Sequence, residues 1–184
     1  MNANAVQLVT KALQELLSPA VGTVYVGPLD DPQAAGAKAV LFLYRVAVNP
    51  DLRNSTHVAP PAVPGDPPIV YEGALPLDLF YLLTAGDAQA GGELDSLATL
   101  GLAMQVLQAA PNITGLPVQG ETVRVTIDPI SSEEMSRIWT LFPTANYRTS
   151  VVYLATPVWI DPTMPVSAAP PVTHEPHRVG PIAS

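Results

Sequence analysis

Proline placement constrains this chain more than any other feature. Between Asn49 and Pro68 stand Pro50, Pro60, Pro61, Pro64, Pro67 and Pro68, and beyond Asp161 come Pro162, Pro165, Pro170, Pro171, Pro176 and Pro181. Proline breaks a helix interior and has no N–H to give to a sheet ladder. Neither stretch can therefore be a helix or a central strand. The prolines divide the chain into a folding part, residues 1–160, and a Pro-rich extended tail, residues 161–184, with a long extended loop from Asn49 to Pro68 inside the first part. Loops of that length in a compact domain are functional or disordered. The loop thus reads either as a contact arm or as a disordered segment, and the tail as extended.

The remaining segments carry clear periodicities. Val6, Val9, Leu13 and Leu16 recur three or four apart opposite Gln7, Thr10, Lys11, Gln14 and Glu15, which predicts an amphipathic helix over residues 4–17 that ends at Ser18-Pro19. Thr23 to Val26 and Ala39 to Val48 read as strands separated by the turn-rich run Gly27 to Pro32. Leu75, Leu77, Leu79, Tyr81 and Leu83 alternate with Pro76, Asp78, Phe80 and Leu82, which suits a strand buried on both faces. Asp78 is the odd residue in that strand, and a charge there needs a partner; Arg45 and Arg124 are the expected ones.

After the glycines from Gly86 to Gly92, the spacing of Leu94, Leu97, Leu100, Met104 and Leu107 predicts a second core helix that stops before Pro111. Val123, Val125 and Ile127 form a half-exposed strand. Ser131 and Glu134 then have the spacing of a capping box, opening a short helix with Met135, Ile138, Leu141 and Phe142 on its apolar side. A last strand covers Tyr147 to Val158. With at most six strands and three helices in irregular alternation and no fixed repeat, the expected fold is a single α+β domain, helices packed on a mainly antiparallel sheet.

Chemistry is hard to find in this sequence. No Gly-x-Ser-x-Gly elbow exists, and of the histidines His57, His174 and His177, two lie in the Pro-rich tail, where nothing would hold a general base. His174-Glu175-Pro176-His177 has a metal-like spacing, but Pro176 prevents the helical turn that would bring both rings together. Asp30-Asp31 and Glu133-Glu134 sit where turns and helix starts want carboxylates. With no cysteine there is no disulfide or thiolate site. No catalytic residue, cofactor or metal is expected. Eight basic against sixteen acidic residues, a net charge of −8, argue against nucleic acid. Met1-Asn2-Ala3-Asn4 lacks a basic stretch ahead of an apolar run, and Arg45 interrupts the most apolar segment, so neither signal peptide nor membrane span is expected.

Only 13% of the residues are charged, about half the usual ~25%. A monomer keeps itself soluble with surface charge, whereas surfaces meant for partners lose it. Sparse charge therefore points to an assembled subunit.

Four stretches resemble the cap or tail-terminator proteins of contractile injection systems, of the antifeeding-prophage and virulence-cassette type. They are Asn49-Pro50-Asp51-Leu52-Arg53-Asn54; Leu75-Pro76-Leu77-Asp78-Leu79-Phe80-Tyr81-Leu82-Leu83-Thr84-Ala85; Leu100 to Leu107; and the run from Val123 through Pro129, Glu134 to Trp139 and Tyr147 to Val151 to Pro157. Ala85-Gly86-Asp87 departs from that pattern, which has an aromatic after the alanine. The resemblance implies a structural, non-enzymatic subunit made in the bacterial cytoplasm. It further implies a homo-hexameric ring seated on the last layer of sheath and inner-tube subunits of a phage-tail-like particle. Candidate contacts with neighbouring subunits or sheath are Arg53, Asn54, His57, Asp128, Arg137, Arg148, Trp159 and Asp161. Rival readings are another ring or connector of the same machine, and a small-molecule or carbohydrate-binding module.

Overall fold

A computed structural model of the protein describes residues 1–61, 63, 65–86 and 92–166. Eight strands and three α-helices follow one another along the chain. Helix α1 (Ala5–Val21) buries Ala5, Val9, Leu13 and Leu17, with Val6 and Leu16 half-buried beside them. It runs past the expected stop: Pro19 lies inside it, and the helix ends at Gly22, whose φ is +91°. A proline so near the C-terminus removes a single N–H, and the turn is kept by the Ser18 hydroxyl donating to the Gln14 carbonyl (2.7 Å) and the Gly22 N–H donating to the Ser18 carbonyl (3.0 Å).

The main sheet has six strands in the order β1-β2-β5-β8-β7-β6. They are β1 (Val24–Val26), β2 (Ala39–Val48), β5 (Leu75–Ala85), β6 (Asn112–Thr114), β7 (Thr122–Ile127) and β8 (Ser150–Ile160). Only β1 and β2 pair in parallel; the other contacts are antiparallel. Two strands unforeseen in the sequence, β3 (His57–Ala59) inside the expected proline loop and β4 (Ile69–Tyr71) just after it, pair as a separate ribbon. Most of the expected tail, residues 167–184, lies outside the described residues.

α1 and α2 (Glu93–Ala109) cover one face of the sheet, where Leu41, Leu79, Tyr81, Leu83, Val123, Val125 and Ala155 point. The buried Tyr81 hydroxyl is satisfied by Thr10 (2.8 Å). α3 (Ser132–Trp139) packs on part of the other face with Leu29, Val40, Leu82, Phe142 and Val152. It opens with the expected capping box, Ser131 and Glu134 bonding reciprocally. Burying both faces explains why β5 shows no clean polar alternation.

Asp78 has a different partner from the one expected. Its carboxylate accepts from Asn49 Nδ2 (2.9 Å) and from Thr156 Oγ1 (2.5 Å), while Arg45 instead lies over the Phe80 ring, 4.6 Å from its centroid. The reason is register. β2 shifts between Leu43 and Arg45 and β5 against β8 shifts between Leu77 and Leu79, so Asp78 falls opposite Ala47 and at the irregularity that contains Thr156 and Pro157. Asn49 extends the network, its Oδ1 accepting from the N–H groups of Asp51 (3.0 Å) and Leu52 (3.1 Å) and so closing the turn that opens the proline loop. Asp78→Ala removes the acceptor at the centre of this network. We expect a loss of about 2 kcal/mol in urea unfolding, the scale of hydrogen bonds to a charged group.

Candidate assembly interface

The described residues leave one long strand edge open. β1 pairs only with Ala39 to Leu41 of β2, and Gly27 N–H reaches the Leu41 carbonyl (3.2 Å). From Phe42 to Val48, β2 pairs with β5 on one side, and among the described residues no strand pairs with it on the other. Val46 and Val48 on this segment are each 48% exposed. The opposite edge is better closed, because β6 covers Thr122 to Arg124 and the Pro111 carbonyl takes the Val125 N–H (2.7 Å). An unpaired row of backbone donors and acceptors is a template for another strand.

Beyond its first turn, where Glu93 and Asp95 stand exposed, α2 adds an uncharged surface. Its buried residues are Leu100, Ala103 and Leu107, whereas Leu94 and Leu97, expected in the core, face outward with Ala98 and Leu102. Apolar residues hold ten of the seventeen positions and are spread around the helix, so the sequence spacing could not single out the inward stripe. No charged residue occurs from Ser96 to Gly120.

At the end of the sheet where β5 begins, five segments meet in a buried ion cluster. The Met1 ammonium bonds Asp161 (2.5 Å) and lies 3.8 Å from Glu121. The Met1 carbonyl accepts from the Asp161 N–H (2.7 Å). His57, at the start of β3, directs Nδ1 at Asp161 (2.6 Å) and Nε2 at Glu121 (3.2 Å). Its ring stacks on Trp159, with centroids 4.4 Å apart and planes 10° apart, and faces Tyr71 at 6.4 Å. Carboxylates only accept, so both ring nitrogens must donate and His57 is the imidazolium. Burial pulls its pKa down, but the hydrogen bonds it donates to Glu121 and Asp161, with their charges, outweigh this and raise it above the ordinary 6.5. The charges then balance, two positive against two negative. His57, Glu121 and Asp161 have the composition of a metal site, and in this arrangement they pair with one another and with the Met1 ammonium.

The residues singled out in the sequence divide accordingly. His57, Trp159 and Asp161 come together in the cluster. Arg53 and Asn54 stand exposed on the turn before β3. Asp128 follows β7, its N–H bonded to the Val152 carbonyl (2.9 Å); Arg137 pairs with Glu133 along exposed α3 (2.6 Å); Arg148 donates to the Ala85 carbonyl (3.1 Å) at the far end of β5. Sequence reasoning missed Met1 and Glu121. The one local hint to Glu121 is that it ends the long uncharged run.

The family model of the Pvc16 N-terminal domain matches residues 7–174. The chain belongs to that family. The resemblance read from the four sequence stretches is thereby borne out, and Pvc16 N-terminal domain architecture agrees with solved structures. A PVC sheath/tube terminator of an extracellular contractile injection system, in its extended state, aligns with a TM-score of 0.62 at 19% identity over 100% of this chain and 66% of that one. An anti-feeding prophage tube-terminating cap aligns with a TM-score of 0.56 at 17% identity over 92% of this chain and 56% of that one. At such identities the likeness is one of fold. The chain spans less than two thirds of the length of either. No curated protein sequence matches. No helix among the described residues is long and apolar enough to cross a membrane.

Proposed function

We propose that this chain is a structural cap subunit that ends the tube and sheath of a contractile, phage-tail-like injection system. Six copies form a ring on the terminal layer, without catalysis and without a cofactor, nucleic acid or membrane. The subunits are made in the bacterial cytoplasm and leave with the particle. Membership of the Pvc16 N-terminal domain family over residues 7–174 carries this reading.

The geometry supports it. A polymer that grows by strand exchange presents unpaired edges at its last layer, and a terminator must satisfy them without offering the next ones. This subunit has one long open edge on β2, whereas at the other end of the sheet the three-residue β6 covers half of β7. Ring closure needs two different surfaces that meet head to tail, and standard contacts take about 800 Å² per partner. The uncharged face of α2 serves such a contact with low desolvation cost. The cavity between Ala85, Leu97, Leu100 and Arg148 is ≈ 10 Å³, room for one water, whereas an open hollow of ≈ 290 Å³ beside Ile130, Met135, Ser136 and Tyr147 is where a small molecule would be sought.

Particles assembled without this chain should carry overlong or unstable tubes and sheaths in negative-stain images, and the purified chain should form rings by light scattering. A protein that stays monomeric at high concentration and is missing from intact particles overturns the proposal.

A further inference from the structure

The ion cluster joins parts of the chain that lie far apart in sequence. His57 begins the β3–β4 ribbon, Asp161 begins the tail, and Met1 leads into α1. Glu121 leads into β7, and Gly120 beside it meets Pro60 just past β3, a Cβ there standing 3.1 Å from the proline ring. The tail leaving Asp161 returns to the ribbon, Val166 N–H donating to the Val70 carbonyl (3.0 Å). Ribbon and tail base therefore share one anchor.

We propose that this cluster is a proton-dependent clamp: the doubly donating His57 ring, together with the Met1 ammonium, holds the β3–β4 ribbon and the base of the tail on the domain, and loss of the ring proton releases them. The electrostatics are specific. The side chains of Met1, His57, Asp161 and Glu121 are 0%, 5%, 8% and 12% exposed. Taking the proton from either ring nitrogen turns a lone pair toward a carboxylate oxygen and leaves one buried negative charge uncompensated. The titratable groups that face the ring are the Met1 ammonium, Glu121, Asp161 and, across the stack, Tyr71.

The direction in pH follows from the raised imidazole. A group held protonated in the folded state contributes fully below its unfolded value, here 6.5, and its contribution is lost as pH rises through the higher folded value. Each unit of that rise changes the ratio of closed to open clamp about tenfold. The device belongs to the isolated subunit and does not depend on what the ribbon touches.

The test uses the full chain between about pH 6 and pH 9, a range set by the ordinary imidazole value. The His57 ring resonance, assigned by its disappearance in His57→Gln, is followed by NMR, and cleavage of the ribbon and tail base by a broad-specificity protease is followed in parallel. His57 should titrate above 6.5, and cleavage should rise with the same midpoint. His57→Gln should be cleaved rapidly at every pH. Glu121→Gln keeps the shape but removes one carboxylate, and it should move both midpoints downward together; a purely structural role would raise cleavage without moving the midpoint. A ring that titrates at or below 6.5, wild-type cleavage that is flat with pH, or a Glu121→Gln cleavage midpoint that stays in place while the ring moves would each overturn the clamp.

Discussion

Gly86→Ala should cost the subunit about 3 kcal/mol or more, at or beyond the upper end of ordinary overpacking, measured as a lowered urea midpoint at unchanged m-value. Gly86 follows β5, and its N–H donates to the Lys38 carbonyl (2.8 Å). A Cβ there would stand 2.1 Å from the Ala37 carbonyl oxygen and 2.7 Å from its carbon. Both are backbone atoms, so no side-chain rotation relieves the clash. Ala37 is itself buried at 2% exposure beneath the α3 face, so the lead into β2 cannot move without opening that core. Against a typical total stability of 5–15 kcal/mol this is a large share. The same substitution at Gly101 has the opposite sign. Gly101 is exposed in α2 with nothing within 4 Å of an added Cβ, so Gly101→Ala should stabilise by about 0.5–1 kcal/mol through helix propensity. If both variants melt alike, close approach at Gly86 is not what that position requires.

Gly86 also shows how far the sequence can be read. Ala85-Gly86-Asp87 is visible in the sequence as a break in a pattern, but the close approach of the residue 37 backbone to residue 86 is a tertiary contact that no local signal shows. Long elements were legible because burial stamps a period on them. β2 occupies the stretch expected, and β5 extends the expected one only to Ala85. The prolines excluded helix from residues 49–68, yet β3 fits between Pro50 and Pro60 and β4 starts just after Pro68. Three-residue strands have too few positions to show alternation. α2 was located, and Leu100, Met104 and Leu107 do pack on the core, but Leu94 and Leu97 face outward, since apolar residues spread around a helix blur its direction.

The ion cluster was legible only in fragments. His57 and Asp161, bonded to one another, are 104 positions apart, and Met1 and Asp161 are 160 apart. No local rule connects such residues. The general signal was charge scarcity: where so few residues are charged, those that are buried must meet each other. Asp78 departs from that rule and is satisfied by neutral donors, because two register shifts bring Thr156 and Asn49 to its carboxylate.

Val46→Lys/Val48→Lys should abolish capping while leaving the subunit folded. Both valines are already half exposed on the open side of β2, so each change should alter stability by no more than about 0.5 kcal/mol, and the urea midpoint should stay where it is. Lysine on an edge strand opposes strand addition, since a docking strand would have to bury the ammonium or displace it. On the capping proposal the purified double variant still forms rings, but particles assembled with it are overlong, as if the subunit were missing. Particles of normal length would remove the β2 edge from the mechanism. Loss of the ring itself would instead assign that edge to the neighbouring subunit, leaving the α2 face for the sheath. The outcome follows from the sheet order, because among the described residues β1 covers β2 for only three residues and leaves a long main-sheet segment unpaired, with Val46 and Val48 exposed along it.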